Sequence, residues 1–535
     1  MEIIGSKDLL KNFRARYGRP PKILHIGNIA NNAYLNAKYL NHAGYDCDVL
    51  CYDYYHIMAC PEWEELVINT NISDPNFPQW HQVSHSEFFR PRWFAQGKLD
   101  TCLDYLIAKR EGDGNKSENL WIQLSRENNT LPNVNESFSD LSFYILKLLR
   151  VPKYLFKLAK KIIRRLYLIK KNISKGTELN ETELNETELS WFKYWEKIYE
   201  KIRFNNDDFL RPSDIIRYHY MLPKFKRLFE NYDLIHAYST DGILSLLAEK
   251  PYLSYEHGTI RSIPFQDTQA GRLCRLTYKM ANFVCITNAD NIVAAKKLNL
   301  LKYGFLPHPI NEDAFDFALP RSELVSAMHK KYGAEYLIFH PSRQHWGDKD
   351  PGNWDKGNDV FIEGLAKFVK ENEISTKAIL VEWGQHVNKT KQLIKQLNIK
   401  ENIIWIAPIS AKKMAEYIQS VDLLADQFYL GAFGSTLPRA LACGTPAMIF
   451  LNEKLHEWCF REMPPVINAR NQEEVNAGLI KAFRDRDWVA ENSKNSMEWY
   501  KKYHSSEVIV ATLNEAYKNC LEGSLDSPTK YNLPI

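Results

Sequence analysis

LLADQFYLGAFGSTLPRALACGTPAMIF, Leu423 to Phe450, is the stretch whose reading decides the fold. The apolar run VDLLADQF predicts a strand, and the loop after it carries Gly431 and Gly434. LPRALACG predicts a short helix stopped by Gly444, and PAMIF a second strand. Strand, glycine-bearing loop, helix and strand make a βαβ unit. In such a unit the backbone N–H groups at the start of the helix, with the positive end of its dipole behind them, are placed to meet a phosphate.

The same alternation extends upstream. EYLIFHPSRQ, AILVEWG and NIIWIAP read as strands, separated by the helical patterns VFIEGLAKFVKEN, KTKQLIKQLN and KKMAEYIQSV. Arg343 ends the first of these strands, and Lys356 lies before the first helix on the polar loop HWGDKDPGNWDKGND. Two cations between a strand end and a helix start suit a diphosphate clamp, opposite backbone donors from Gly431, Phe433, Gly434, Ser435 and Thr436. Asp426 stands at the strand end, a position that suits a turn residue.

A second set of alternating elements opens at Pro21. KILHIG is a strand ending at Gly27, ANNAYLNAKYLNHAG a helix, and DCDVLCYDY the next strand. The full GxGxxG fingerprint is missing, so a dinucleotide is not indicated. Gly27, Asn28 and Asn31 form a loop whose amides suit acceptor hydroxyls, and they equally suit turn and cap positions. YDLIHAYS, PYLSYEHG, ANFVCITN and KYGFLPHPI continue the strand series, with His257 at a strand end. There it meets a sugar hydroxyl or phosphate, or is a loop histidine satisfied by backbone. Strands alternating with helices imply parallel sheets covered on both faces. The expected organisation is α/β, with two Rossmann-like doubly wound domains facing a cleft. Residues 1–313 form the first domain and 314–490 the second. Residues 491–535 read as one or two helices, then a polar tail.

Residues 58–190 break the pattern and read as an insertion. Within it, 141–176 contains no acidic residue and interleaves Lys and Arg with Leu, Ile, Phe and Tyr at helical spacing. Such a basic amphipathic segment suits an anionic membrane surface, and equally a helix docked on the protein with a solvated basic face. No nucleic-acid motif accompanies it. TELNETELNETELS, 177–190, is a low-complexity repeat read as a tether or solvated helix extension.

Composition agrees with a two-domain globular chain of 535 residues, 25% charged and with a net charge of +4. The nine cysteines show no CxxC pair and no zinc spacing, which fits a reducing compartment. No signal-peptide pattern and no uncharged run of membrane-spanning length is read, so the expected location is cytoplasmic, with peripheral attachment to the inner face of the membrane through 141–176.

These segments resemble glycosyltransferase family four, the retaining enzymes of GT-B fold. The family's GR…KG element matches SRQ…DKG, its NG-D…F signature matches LPHPINEDAF, and its EGFG…EAMACGTP element matches GAFG…RALACGTP. By that resemblance Arg343 and Lys356 hold the donor diphosphate, His257 lies near the place of a histidine that contacts the donor, and the C-terminal helices of 491–535 cross back to the first domain. The family's two glutamates, however, fall on Gly431 and Arg439. Arginine cannot accept the hydrogen bonds of a ribose diol. Arg439 would instead meet a phosphate or an acidic sugar group, and Asp426, followed by Gln427, would take over sugar contact.

The implied activity is transfer of a sugar from a nucleotide-diphosphate donor to a glycan or lipid-linked glycan acceptor, in cell-surface polysaccharide or glycoconjugate synthesis. No metal or other cofactor is implied. Two alternatives stay open: an inactive nucleotide- or glycan-binding scaffold, prompted by the two missing glutamates, and a nucleotide-sugar epimerase of the same architecture.

Overall fold

The computed structural model describes residues 6–68, 88–129, 181, 184–347 and 355–522. Seven strands form the first sheet: β1 (Lys22–Ile26), β2 (Asp46–Tyr52), β3 (Phe94–Gly97), β4 (Leu234–Tyr238), β5 (Tyr252–Tyr255), β6 (Phe283–Ile286) and β7 (Tyr303–Phe305). Their order is β3-β2-β1-β4-β5-β6-β7, and every pairing is parallel. The second sheet contains β8 (Tyr336–His340), β9 (Thr376–Val381), β10 (Ile403–Ile406), β11 (Leu423–Ala425), β12 (Ala447–Ile449) and β13 (Ile467–Asn468), in the order β10-β9-β8-β11-β12-β13, again all parallel. Both sheets are doubly wound and of Rossmann type. In each, the strand order reverses beside the first strand, between β1 and β4 and between β8 and β11. Ligands of such sheets lie at that reversal, outside the carboxyl ends of the strands.

The strands read as continuous apolar runs because helices cover both faces; β4, β5, β6 and β8 are buried at every position. The same burial explains a difference from the sequence reading. FAQG inside the stretch read as an insertion is β3, the edge strand of the first sheet, and the helices Leu99–Glu111 and Gly114–Asn129 follow it. All four of its residues are buried, so the period-two alternation that marks a half-buried strand is absent. The acidic repeat also ends in structure. Asn185 accepts from the Glu188 backbone N–H, and the Glu188 carboxylate accepts from that of Asn185. This capping box starts the helix Glu186–Glu200. The basic segment 141–176 lies outside the described residues.

Two crossings join the domains. The helix Arg486–Tyr503 packs on the second domain through Trp499, Tyr500 and Tyr503. The next helix, Ser506–Glu522, returns to the first through Ile509, Leu513, Ala516 and Tyr517. Glu312 fixes the crossover by accepting from Tyr500 Oη, Ser506 N and Ser506 Oγ. The other crossing is a strap, residues 56–68, that leaves the first domain after β2. Its Ile57, Cys60, Trp63 and Ile68 belong to the apolar core of the second domain, beside Trp383, Tyr417, Leu437 and Leu441. Asn28 and Asn31 donate to the strap carbonyls of Ala59 and Cys60 and hold its base to the first domain.

All nine cysteines are free and buried. Among the described residues no helix is long and apolar enough to cross a membrane.

Buried histidines give the fold a defined acid limit. His25 and His236 sit inside the first sheet with ring centroids 4.6 Å apart. Burial pulls His25 down to about 3, His340 to about 4 and His504 to about 3. The unfolded chain, with histidines near 6.5, therefore binds more protons than the native one below that pH. Stability is full above about pH 6.5 and is lost as pH falls toward 4, by about 2 kcal/mol at pH 5 from a group shifted as far as His25. The urea midpoint is expected to drop steadily from pH 7 to pH 5; a flat midpoint over that range contradicts this.

Candidate functional site

The site is built at the reversal between β8 and β11. Buried His340 ends β8. It donates from Nδ1 to the Ala425 carbonyl at 2.9 Å and accepts at Nε2 from Asn358 at 2.9 Å. A carbonyl only accepts, so the ring is the neutral Nδ1–H tautomer. It ties the ends of β8 and β11 to the start of the helix Asn358–Glu371. Ser342 follows and donates to Asp426 Oδ1 at 3.0 Å.

Arg343 and Lys356 then come together on this frame. Asp355 closes the loop between them by accepting from Gly347 N at 2.9 Å and Gly357 N at 2.8 Å. Lys356 donates to Gln427 Oε1 at 2.9 Å, and its carbonyl accepts from Phe428 N at 2.8 Å. Gly357 has φ +63°, and a Cβ there would lie 3.0 Å from the Phe428 backbone, so the approach of helix to loop requires glycine. Arg343 lies flat over Trp383, 4.5 Å from the ring centroid, with Met58 Sδ 3.2 Å from Nη2. Among the described residues neither cation forms an ion pair with a carboxylate. Burial lowers the pKa of both, and the nearby Arg343 and Arg261 charges lower Lys356 further. The same burial raises Asp426, against the pull of Lys356 and Ser342.

The loop that opened the sequence reading lies beside them. β11 is shorter than VDLLADQF predicts, because Asp426 and Gln427 leave the strand to make the contacts above. Gly431 has φ +74° and presses on Phe450, while a Cβ at Gly434 would meet nothing within 4 Å. Phe433 is buried and stacks on His456. Ser435 and Thr436 are half-exposed at the start of the helix Thr436–Cys443, which no side chain caps. Its first N–H groups and the two cations are what an anion needs.

Arg439 does not complete that cluster. It donates to the Ser435 carbonyl at 2.6 Å and to Glu64 Oε2, on the strap, at 3.2 Å; both side chains are almost fully buried. Asn28 and Asn31 likewise spend their amides inside the protein, on each other and on the strap, and Gly27 packs against Asp241.

His257 lies across the cleft at the end of β5. Its ring packs on Tyr255 at 4.9 Å and faces His308 at 6.5 Å, and its buried Nε2 has no partner. Burial and His308 hold it well below its ordinary pKa, so it is neutral. The residue before it was missed in the sequence. Glu256 staples β5 to β6 through Thr287, and burial raises it to about 7. An acid closing the apolar strand YLSY is the signal that marks it. Arg261, paired in two hydrogen bonds with Asp290, was missed too. Among the described residues no three His, Cys, Asp or Glu side chains group as a metal site does.

Comparison with known proteins adds the following. Residues 352–498 match the family model described as Glycosyl transferases group 1. The crystal structure of a glycosyltransferase from Rickettsia africae superposes with a TM-score of 0.50 at 13% identity, covering 95% of this chain and 100% of that one. The fold is GT-B. The structure of HepE from Anabaena in complex with UDP and glucose has a TM-score of 0.45 at 16% identity, over 56% of this chain and 81% of that one. Sucrose-phosphate synthase from Thermosynechococcus elongatus has a TM-score of 0.43 at 16% identity, over 58% and 80%. No curated protein matches the chain.

Gly357→Ala tests the seam between helix and loop. With its φ and the 3.0 Å approach, the substitution is expected to cost about 1–3 kcal/mol and to lower the urea midpoint. An unchanged midpoint contradicts the packing described.

Proposed function

We propose that the protein is a glycosyltransferase that moves a sugar from a nucleotide-diphosphate donor to a glycan or lipid-linked acceptor, in the synthesis of cell-surface polysaccharide or glycoconjugate. The observation that carries this is the pair Arg343 and Lys356. Both are half-buried, neither has a carboxylate ion pair among the described residues, and both lie at the strand reversal, where Lys356 reaches through Gln427 to the loop between β11 and an uncapped helix. Burying a cation is costly, Asp426 offsets that cost only in part at Lys356, and a diphosphate would remove it at both positions. The group 1 glycosyltransferase match over 352–498 supports the class.

In the reaction the bond from the anomeric carbon to the diphosphate oxygen breaks, and one to the acceptor oxygen forms. Arg343, Lys356 and the N–H groups of 434–436 stabilise the charge that grows on the departing diphosphate, work for which preorganised cations and dipoles are suited. The role is filled by residues of the chain, with no metal assigned to it. Asp426 lies beside Lys356 and Ser342, placed to hold the donor sugar, and neutral His257 offers Nε2 from the acceptor side. Retention of configuration rests on the resemblance to family four. The location is cytoplasmic, with 141–176 resting on an anionic bilayer.

Titration with UDP and GDP tests the donor reading. Arg343→Ala and Lys356→Ala are each expected to weaken nucleotide binding at least tenfold, about 1.4 kcal/mol; unchanged affinity overturns it. Deleting 141–176 is expected to reduce co-sedimentation with vesicles containing phosphatidylserine, and equal sedimentation overturns the membrane contact. A second reading, a nucleotide-binding scaffold without turnover, is favoured by the commitment of Arg439 to Glu64. Release of nucleotide from a panel of nucleotide sugars, stimulated by a glycan lipid, supports transfer over it.

A further inference from the structure

The strap packs on the second domain around Arg343. Arg343 follows β8, and the ends of β9 and β10 lie on its side away from Asp426. The strap touches the residues that leave each of them. Met58 Sδ lies on Arg343, after β8. Trp63 meets the ring of Trp383, after β9, edge-on with centroids 6.4 Å apart. Ile68 N donates at 3.2 Å to Ser410 Oγ, which caps the helix Ala411–Gln419 after β10. Glu64 then closes the far wall on Arg439 of the helix Thr436–Cys443. A diphosphate on Arg343 and Lys356 carries a sugar on one side and a nucleoside on the other. The sugar has the open end, toward Asp426 and His257. The nucleoside is left with the crevice over β9 and β10, where the chain has placed its own Trp63.

We propose that residues 56–68 are an autoinhibitory plug in the nucleoside half of the donor crevice, latched by Glu64 on Arg439 and withdrawn when a nucleoside diphosphate binds. The inference rests on the donor reading above. The plug is carried by the first domain. Asn28 and Asn31 hold its Ala59 and Cys60 carbonyls, Asn311 holds that of Glu64, and Lys38 pairs with Glu65. Its withdrawal is therefore a movement of that domain away from the second. It also gives Arg439 a role that a glutamate at its position does not fill, namely to grip a carboxylate of the other domain. A site whose competent state is only partly populated binds with affinity reduced by that fraction, so weakening the latch raises apparent affinity.

Two measurements on the full chain test the plug. In hydrogen exchange on the wild type, UDP is expected to increase exchange of the amides in 57–68. In titration, Glu64→Gln is expected to bind UDP at least fivefold more tightly than the wild type. Protection of 57–68 by UDP, or exchange unchanged at saturation, overturns the plug. So does weaker or unchanged UDP affinity in Glu64→Gln, because Glu64 would then belong to the site or have no part in it. If Glu64→Gln does not fold, the exchange experiment on the wild type decides alone. Wild-type-like binding in Arg343→Ala and Lys356→Ala is a separate failure, that of the donor reading.

Discussion

Arg343 and Lys356 are two half-buried cations at one strand reversal without carboxylate ion pairs among the described residues. The surrounding structure exists to keep them there. His340 clamps the ends of β8 and β11 to the helix Asn358–Glu371. Asp355 spends both carboxylate oxygens on backbone N–H groups at the two sides of the loop, instead of neutralising the cations. Asp426 is turned toward Ser342. A surface with water at hand does not need this bracing; a site prepared for an anion does.

The domains share one buried apolar cluster. Trp63 and Ile68 are buried in the core of the second domain, and Glu312 locks the crossover between the two C-terminal helices. Movement between the domains therefore involves a few identifiable contacts: Glu64 on Arg439, Met58 on Arg343 and Ile68 on Ser410. The strap rests on two cationic groups of the second domain, Arg343 and Arg439.

Much of the fold was legible in the sequence because parallel strands buried on both faces write themselves as apolar runs ended by glycine, and Gly27, Gly258 and Gly444 all punctuate as expected. β3 was not, because FAQG is too short and too uniformly buried to show a period. That Arg343 and Lys356 come to the same end of the second sheet as the loop after β11 was readable, because each lies on the connection that leaves the carboxyl end of β8. Glu64, Met58 and Trp63 were not. Their partners are hundreds of residues away in the chain, and a Trp- and Glu-rich stretch such as PEWEE carries no pattern that points across a domain boundary. Arg439 lies 375 residues from Glu64, and Asn28 and Asn31 lie 31 and 29 residues from the strap carbonyls they bind, so the polar groups of all three were free to be assigned to a ligand until the strap took them.

The central claim is that a donor diphosphate sits on Arg343, Lys356 and the uncapped start of the helix Thr436–Cys443. A crystal structure of the full chain with a bound nucleoside diphosphate tests it most directly. The account predicts phosphate oxygens within hydrogen-bond distance of the Arg343 guanidinium, of Lys356 Nζ and of at least one N–H among 434–436. A diphosphate bound elsewhere, with Arg343 still covered by Met58 and Lys356 still on Gln427, would contradict it.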